Sequence, residues 1–184
     1  MRPWTLPDLS KLDPHLSREH TLKVVFNAAG SPDQQVAVLL KSYLRLVDKG
    51  VSEYQATTAA LAGATTHQLL VAAGHLENCV LTMRRALRFA YRLKSLQSAP
   101  TPPRQAAIFQ ARTQESLIRV RDAIEHLDER LLNEQIPDGS PVVLLIDGDN
   151  LVIGDITLPA RDLAAWLEAM YVFGKAITGF PNDA

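Results

Sequence analysis

Between Thr65 and Gln97 the apolar residues Leu69, Leu70, Ala73, Leu76, Val80, Met83, Leu87, Ala90 and Tyr91 recur at steps of three and four. That spacing lays them along one stripe of a single long helix, and such a stripe must be covered by another element. Pro100-Thr101-Pro102-Pro103 then stops any helix and stiffens the connection. A second helical pattern follows from about Arg104 to Asn133. Two long helices joined by so short a turn are expected to lie antiparallel.

The flanking sequence fills out the bundle. Residues 1–15 hold three prolines and read as an arm. Ser17 is placed to cap a helix running to about Ala29, with Gly30 as its stop. Ser31-Pro32-Asp33 is a helix-start signal for a segment carrying Val36, Leu39, Leu40, Tyr43, Leu44, Leu46 and Val47, which is expected to end at Gly50. Ser52-Glu53 would open a further helical stretch to about Leu61. The tail changes character: Val142-Val143-Leu144-Leu145-Ile146, then Asp147-Gly148-Asp149-Asn150, then Leu151-Val152-Ile153 read as a β-hairpin over 142–157. A closing helix over 160–175 would bury Leu163, Trp166, Leu167, Met170, Tyr171 and Phe173. The expectation is a mainly α fold: one domain over 1–184, an antiparallel bundle over 17–135 with two long central helices, then the hairpin and the closing helix.

Composition narrows the function classes. A chain of 184 residues, 47% hydrophobic and 21% charged, has the makings of one well-buried core. A formal charge of −1 gives no global attraction to nucleic acid or an anionic membrane, so any such contact must rest on a local patch. A lone Cys79 allows no internal disulfide and no metal-finger spacing. Neither a secretory leader nor an apolar run approaching the ~20 residues of a bilayer span is legible. A cytoplasmic protein with no membrane partner is expected.

Chemistry concentrates in Arg119-Val120-Arg121-Asp122-Ala123-Ile124-Glu125-His126-Leu127-Asp128-Glu129-Arg130. Metal-free RNA cleavage needs a group of near-neutral pKa to move protons, which histidine supplies, and a fixed cation on the phosphate, which arginine supplies. Arg121 and His126 stand five positions apart, roughly 140° around a helix, on neighbouring faces. The plainer reading makes Arg121 and His126 surface residues of an i,i+4 salt-bridge ladder with Asp122 and Glu125.

The run Arg121-Asp122-Ala123-Ile124-Glu125-His126, late in the second long helix of an antiparallel pair, resembles the Arg-polar-x-x-x-His motif of the HEPN family (higher eukaryotes and prokaryotes nucleotide-binding domains). The resemblance covers residues 17–135 and leaves out the hairpin and closing helix. It implies an all-helical domain that dimerises so that two motifs face one cleft. It also implies a metal-independent ribonuclease of a toxin, antiviral or RNA-processing system, or an inactive scaffold descended from one. On that reading Arg121 holds the phosphate, His126 is acid or base, Asp122 orients one of them, and no cofactor is needed. The partners it implies are RNA, a second copy of the chain and a neutralising protein.

Arg85, Arg88 and Arg92 share one helix face at spacings of three and four, with Phe89 and Tyr91 interleaved among Arg84, Arg85, Arg88, Arg92 and Lys94. They are candidate RNA-backbone contacts, with Arg119 as another; no DNA partner is expected. The alternative is pairing of the stripe with Asp122, Glu125, Asp128 and Glu129 on the antiparallel neighbour. A metal site would draw on Asp122, His126 and Glu129, or on His67, His75 and Glu77, and would need ligands from another helix. Asp147-Gly148-Asp149-Asn150 lacks the later ligands of a calcium loop and reads as a turn. Two rival functions remain: a binding or scaffold module using a Trp166/Met170/Phe173 face or the hairpin as its partner surface, and a metal-dependent bundle enzyme.

Overall fold

A computed structural model describes residues 6–26, 34–63, 65–97, 99 and 107–179. The helices are α1 (Leu16–Phe26), α2 (Gln34–Leu61), α3 (Thr66–Ser95), α4 (Ala111–Glu125), α5 (Leu127–Leu132) and α6 (Ala160–Thr178). A short 3-10 turn, Ala107–Phe109, precedes α4. The strands are β1 (Leu145–Asp147), β2 (Asn150–Ile153) and β3 (Ile156–Pro159). The fold is therefore mainly helical, with a small antiparallel sheet and a closing helix near the C-terminus, as expected.

α3 matches its sequence signal closely. Thr65 and Gln68 form a reciprocal capping box at its start, and Arg92 and Lys94 sit in its last turn, where a helix C-terminus favours cations. Its principal partner, however, is α2 rather than the helix after the proline-rich connection. The two run antiparallel: Glu53 meets His75, and Gly50 lies against Cys79 and Met83. Ala72, Ala73, Ala86 and Ala90 of α3 are all buried.

Gly50 was expected to end a helix, and instead lies inside one. α2 continues unbroken through Ser52 and Glu53 to Leu61. A Cβ at Gly50 would stand 3.2 Å from Leu167 Cδ1 of α6, so the glycine marks a helix crossing. Gly174 plays the same part on α6, where a Cβ would meet Leu44 at 3.1 Å and Leu16 at 3.2 Å. Tyr43, fully buried, donates its hydroxyl to the Met170 carbonyl at 2.7 Å. Edge-on ring contacts run from Tyr43 to Phe173, to Phe109 and to Tyr91, tying α2, α6, the 3-10 turn and α3 into one core.

Residues 6–15 of the N-terminal arm are packed down. Leu9 and Leu12 are buried, Tyr54 donates to the Pro7 carbonyl, and Gln55 donates to the carbonyls of Leu9 and Leu12. α1 is not capped by Ser17, which lies within it. Its first turn is capped by Asp48 of α2, which accepts from Leu16 N–H at 2.9 Å, Ser17 N–H at 2.8 Å and Ser17 Oγ at 2.6 Å. The expected stop at Gly30, the start at Ser31-Pro32-Asp33 and the Pro100–Pro103 connection lie outside the described residues.

The second long helix is two helices. α4 runs antiparallel to α3, with Gln114 at Tyr91 and, further along, Arg121 and Asp122 close enough to Arg84 for their charges to act on it, but ends at Glu125. His126, with φ −114° and ψ 22°, separates it from α5. Past the break Leu127 packs against the core, and Arg130 reaches Asp155 and lies over Gly154. These tertiary contacts redirect a segment whose local pattern favours continuation.

The expected hairpin is a three-stranded meander, β1-β2-β3, and begins at Leu145 rather than Val142. Both turns are two residues long, Gly148-Asp149 and Gly154-Asp155, with the glycines at φ 60° and 57°. Glycine at the first central position suits the twist of such tight turns. Leu144, just before β1, donates its N–H to Glu77 on α3 at 3.0 Å, fixing the sheet to the bundle.

Candidate nucleic-acid interface

Arg85, Arg88 and Arg92 all stand exposed on α3. With the partly buried Phe89 they line an open depression of about 300 Å³. Among the described residues none of the three guanidiniums has a carboxylate within 4 Å; the acidic residues expected to neutralise them are engaged elsewhere or stand apart. Tyr91 does not join the stripe. It turns to Gln114 and the Phe109 ring, and Lys94 lies over that ring at 4.8 Å. Arg119 is exposed on α4 and close enough to Asp155 to help hold that carboxyl below its ordinary value, after the hydrogen bond from Arg130.

Arg121 is held by its own helix. Its Nη1 donates to Asp122 and its Nε lies 3.1 Å from Glu125 Oε2, the ladder that the spacing allowed. Its side chain keeps 29% of its surface exposed. His126 is at the α4–α5 break, 51% exposed, with Nδ1 3.3 Å from Glu129 Oε2. The structure thus joins Arg121 with Asp122 and Glu125, and His126 with Glu129. It places the arginine and the histidine on either side of a helix end rather than on one continuous helix.

Arg84 extends the cationic surface from α3 towards α4. It is partly buried, and burial, then the charges of Arg121 and Arg88, push its pKa below the usual guanidinium value. Its place opposite Arg121 follows from a register that helical spacing within α3 alone does not reveal.

The other candidates have structural roles. His75 Nδ1 lies 2.7 Å from Glu53 Oε2, His67 is exposed, and among the described residues no three His, Cys, Asp or Glu side chains gather to hold a metal. Met170 and Phe173 are buried in the core and Trp166 is partly buried, so the proposed α6 partner surface is not available. In the sheet Leu151 and Ile153 are buried, and Ile146 and Ile156 pack on the core. No helix among the described residues is long and apolar enough to cross a membrane.

Cys79 is fully buried, donates to the Gly50 carbonyl at 3.4 Å, and burial pushes its thiol up to about 12. Since the thiolate is the reactive form, the native protein at pH 8 is expected to react with a disulfide reagent only as fast as it opens, and the unfolded chain at once. Rapid, denaturant-independent labelling would contradict this packing.

Comparisons with protein-family models, curated proteins and solved structures return no match for this chain.

Proposed function

We propose that this chain binds RNA through its phosphate backbone, using Arg85, Arg88 and Arg92 on α3 with Arg119 on α4 as a further contact. The observation that carries the reading is the exposed guanidinium row around Phe89 with no carboxylate within reach among the described residues. Arginines left unpaired on one face release counterions when they meet phosphates, and a ring beside them offers a surface for bases. The overall charge of −1 does not oppose this, because the cations are concentrated locally.

A second reading, favoured by the half-exposed His126 imidazole and by Arg121 adjoining the stripe through Arg84, is the HEPN-like one: a metal-independent endoribonuclease. In it His126 takes the proton of a ribose 2′-hydroxyl, whose oxygen attacks the neighbouring phosphorus. The P–O5′ bond breaks, and the departing oxygen takes a proton from the His126 of a second copy. Arg121 stabilises the phosphorane oxygens through the Nη2 edge that Asp122 and Glu125 leave open, and Asp122 fixes its orientation. A homodimer follows, since one histidine supplies half of the acid–base set. A cytoplasmic setting and a neutralising protein partner belong to the same reading.

The test is incubation of the purified chain with mixed RNA and excess chelator beside His126→Ala. Binding that weakens steeply with salt, and cleavage that vanishes in the variant, are the expected results. Equal cleavage by both proteins would remove His126 from the chemistry while leaving the binding reading intact. Failure to bind RNA at low salt, with stoichiometric capture of a protein instead, would favour the scaffold reading.

A further inference from the structure

The Tyr91–Gln114 contact marks one point of the antiparallel α3–α4 pair. Seven residues back along α3 stands Arg84, and seven forward along antiparallel α4 stands Arg121. Seven residues are close to two full turns, about 10.5 Å. Both arginines therefore return to the seam that Tyr91 and Gln114 occupy, and they face each other across it. Arg88, one turn from Arg84, lies at the entrance from the exposed stripe.

Two helices seldom bring like charges together at a partly buried seam without a counterion. Here the neighbouring carboxylates are committed in a particular way. Asp122 takes the Nη1 edge of Arg121 and Glu125 takes Nε, which fixes the plane of that guanidinium and leaves Nη2. Arg84 has no carboxylate within 4 Å among the described residues. Burial, then the repulsion of Arg121 and Arg88, lowers the pKa of Arg84, and the opposing pull of Asp122 and Tyr91 does not cancel it.

We infer that Arg84 and Arg121, with Arg88 at the mouth, form a seat for one phosphate group at the α3–α4 seam. Guanidinium forks match phosphate oxygens in pairs, and a group held from two helices is fixed in position, whereas the outer stripe only attracts it. The assignment of that phosphate to an RNA backbone rests on the proposed function. The seat itself requires only the phosphate chemistry, which inorganic phosphate shares.

The experiment is thermal unfolding of the full chain in sodium phosphate and in sodium chloride at matched ionic strength and pH 7. It is run for the parent, Arg84→Gln, Arg121→Gln and, as a control for general salt effects, Arg45→Gln on the exposed part of α2. The parent and Arg45→Gln should melt a few degrees higher in phosphate, a gain that follows from ligand linkage. Arg84→Gln and Arg121→Gln should lose that gain, and Arg84→Gln should melt no lower than the parent in chloride because a repulsion has been removed. A parent without the gain, or variants that keep it, would overturn the seat. A labelled single-stranded RNA, titrated against the same proteins, separates the sources of phosphate. Loss of one contact should flatten the slope of log affinity on log salt by about 0.7 in Arg84→Gln. An Arg84-dependent phosphate gain without RNA binding would uphold the seat and sink the RNA reading. RNA binding through the stripe without the gain would do the reverse.

Discussion

Asp48→Ala is expected to lower the stability of the protein by about 3 kcal/mol. The carboxylate is 6% exposed and accepts from both Leu16 and Ser17 backbone N–H groups and from the Ser17 hydroxyl. The first turn of a helix has N–H donors with no partner inside the helix, and a negative charge there also opposes the helix dipole favourably. Alanine would leave these donors facing a small void. A hydrogen bond to a charged group contributes about 1.5–3 kcal/mol, and entering water would recover part of the loss. For a chain of this length the melting temperature should fall by about 6–12 °C. Ser17→Ala removes one donor and leaves the backbone bonds, so its cost should be nearer 1 kcal/mol. Chemical denaturation of the three proteins reads both differences. A loss below about 0.5 kcal/mol for Asp48→Ala would show that α1 is held by its apolar contacts, chiefly Leu16 against the α2–α6 crossing, and not by this cap.

The same carboxylate shows where the sequence was readable and where it was not. Features whose cause is local were plain. The α3 stripe and its start near Thr65, the arginine row and the Asp147–Asn150 turn all depend on residues within a few positions of one another. Asp48 lies thirty-two positions from Leu16, on another helix, and nothing in its surroundings marks it as a cap. Gly50 misled for a related reason. Glycine ends helices when it takes a left-handed conformation, as Gly179 does at φ 67°, but it also sits where two helices cross closely, and only the approach of Leu167 distinguishes the two uses. The break at His126 has neither glycine nor proline and comes from the docking of α5 on the Gly154-Asp155 turn. β3 ends in proline and passes directly into α6, so its short pattern was absorbed into the tail of a supposed hairpin. In the candidate site, membership of the arginine row followed from spacing. The opposition of Arg84 and Arg121 follows from the register of two helices on either side of the proline-rich connection, which no local rule supplies.

Neutralising that row is the change with the largest expected effect on RNA binding. The combined variant Arg85→Gln, Arg88→Gln, Arg92→Gln should bind single-stranded RNA about 100-fold more weakly near 0.1 M salt. Each phosphate contact on a single strand contributes about 0.7 to the slope of log affinity on log salt, so three contacts contribute about 2. A decade of salt below 1 M is then worth about two decades of affinity, and the variant's salt slope should be shallower by the same 2. The fold should tolerate the change, because all three side chains are exposed and have no ion-pair partner among the described residues. Titrations of a labelled RNA at several salt concentrations measure affinity and slope together, which separates two causes of weakening. A fall in affinity with an unchanged slope would mean that the substitutions had disturbed the shape around Phe89 without removing phosphate contacts. An unchanged affinity and slope would exclude this face of α3 and turn the search for the RNA contact to Arg119 and the α3–α4 seam. A shallower slope with weaker binding is the result expected when arginines that meet the RNA phosphates are removed.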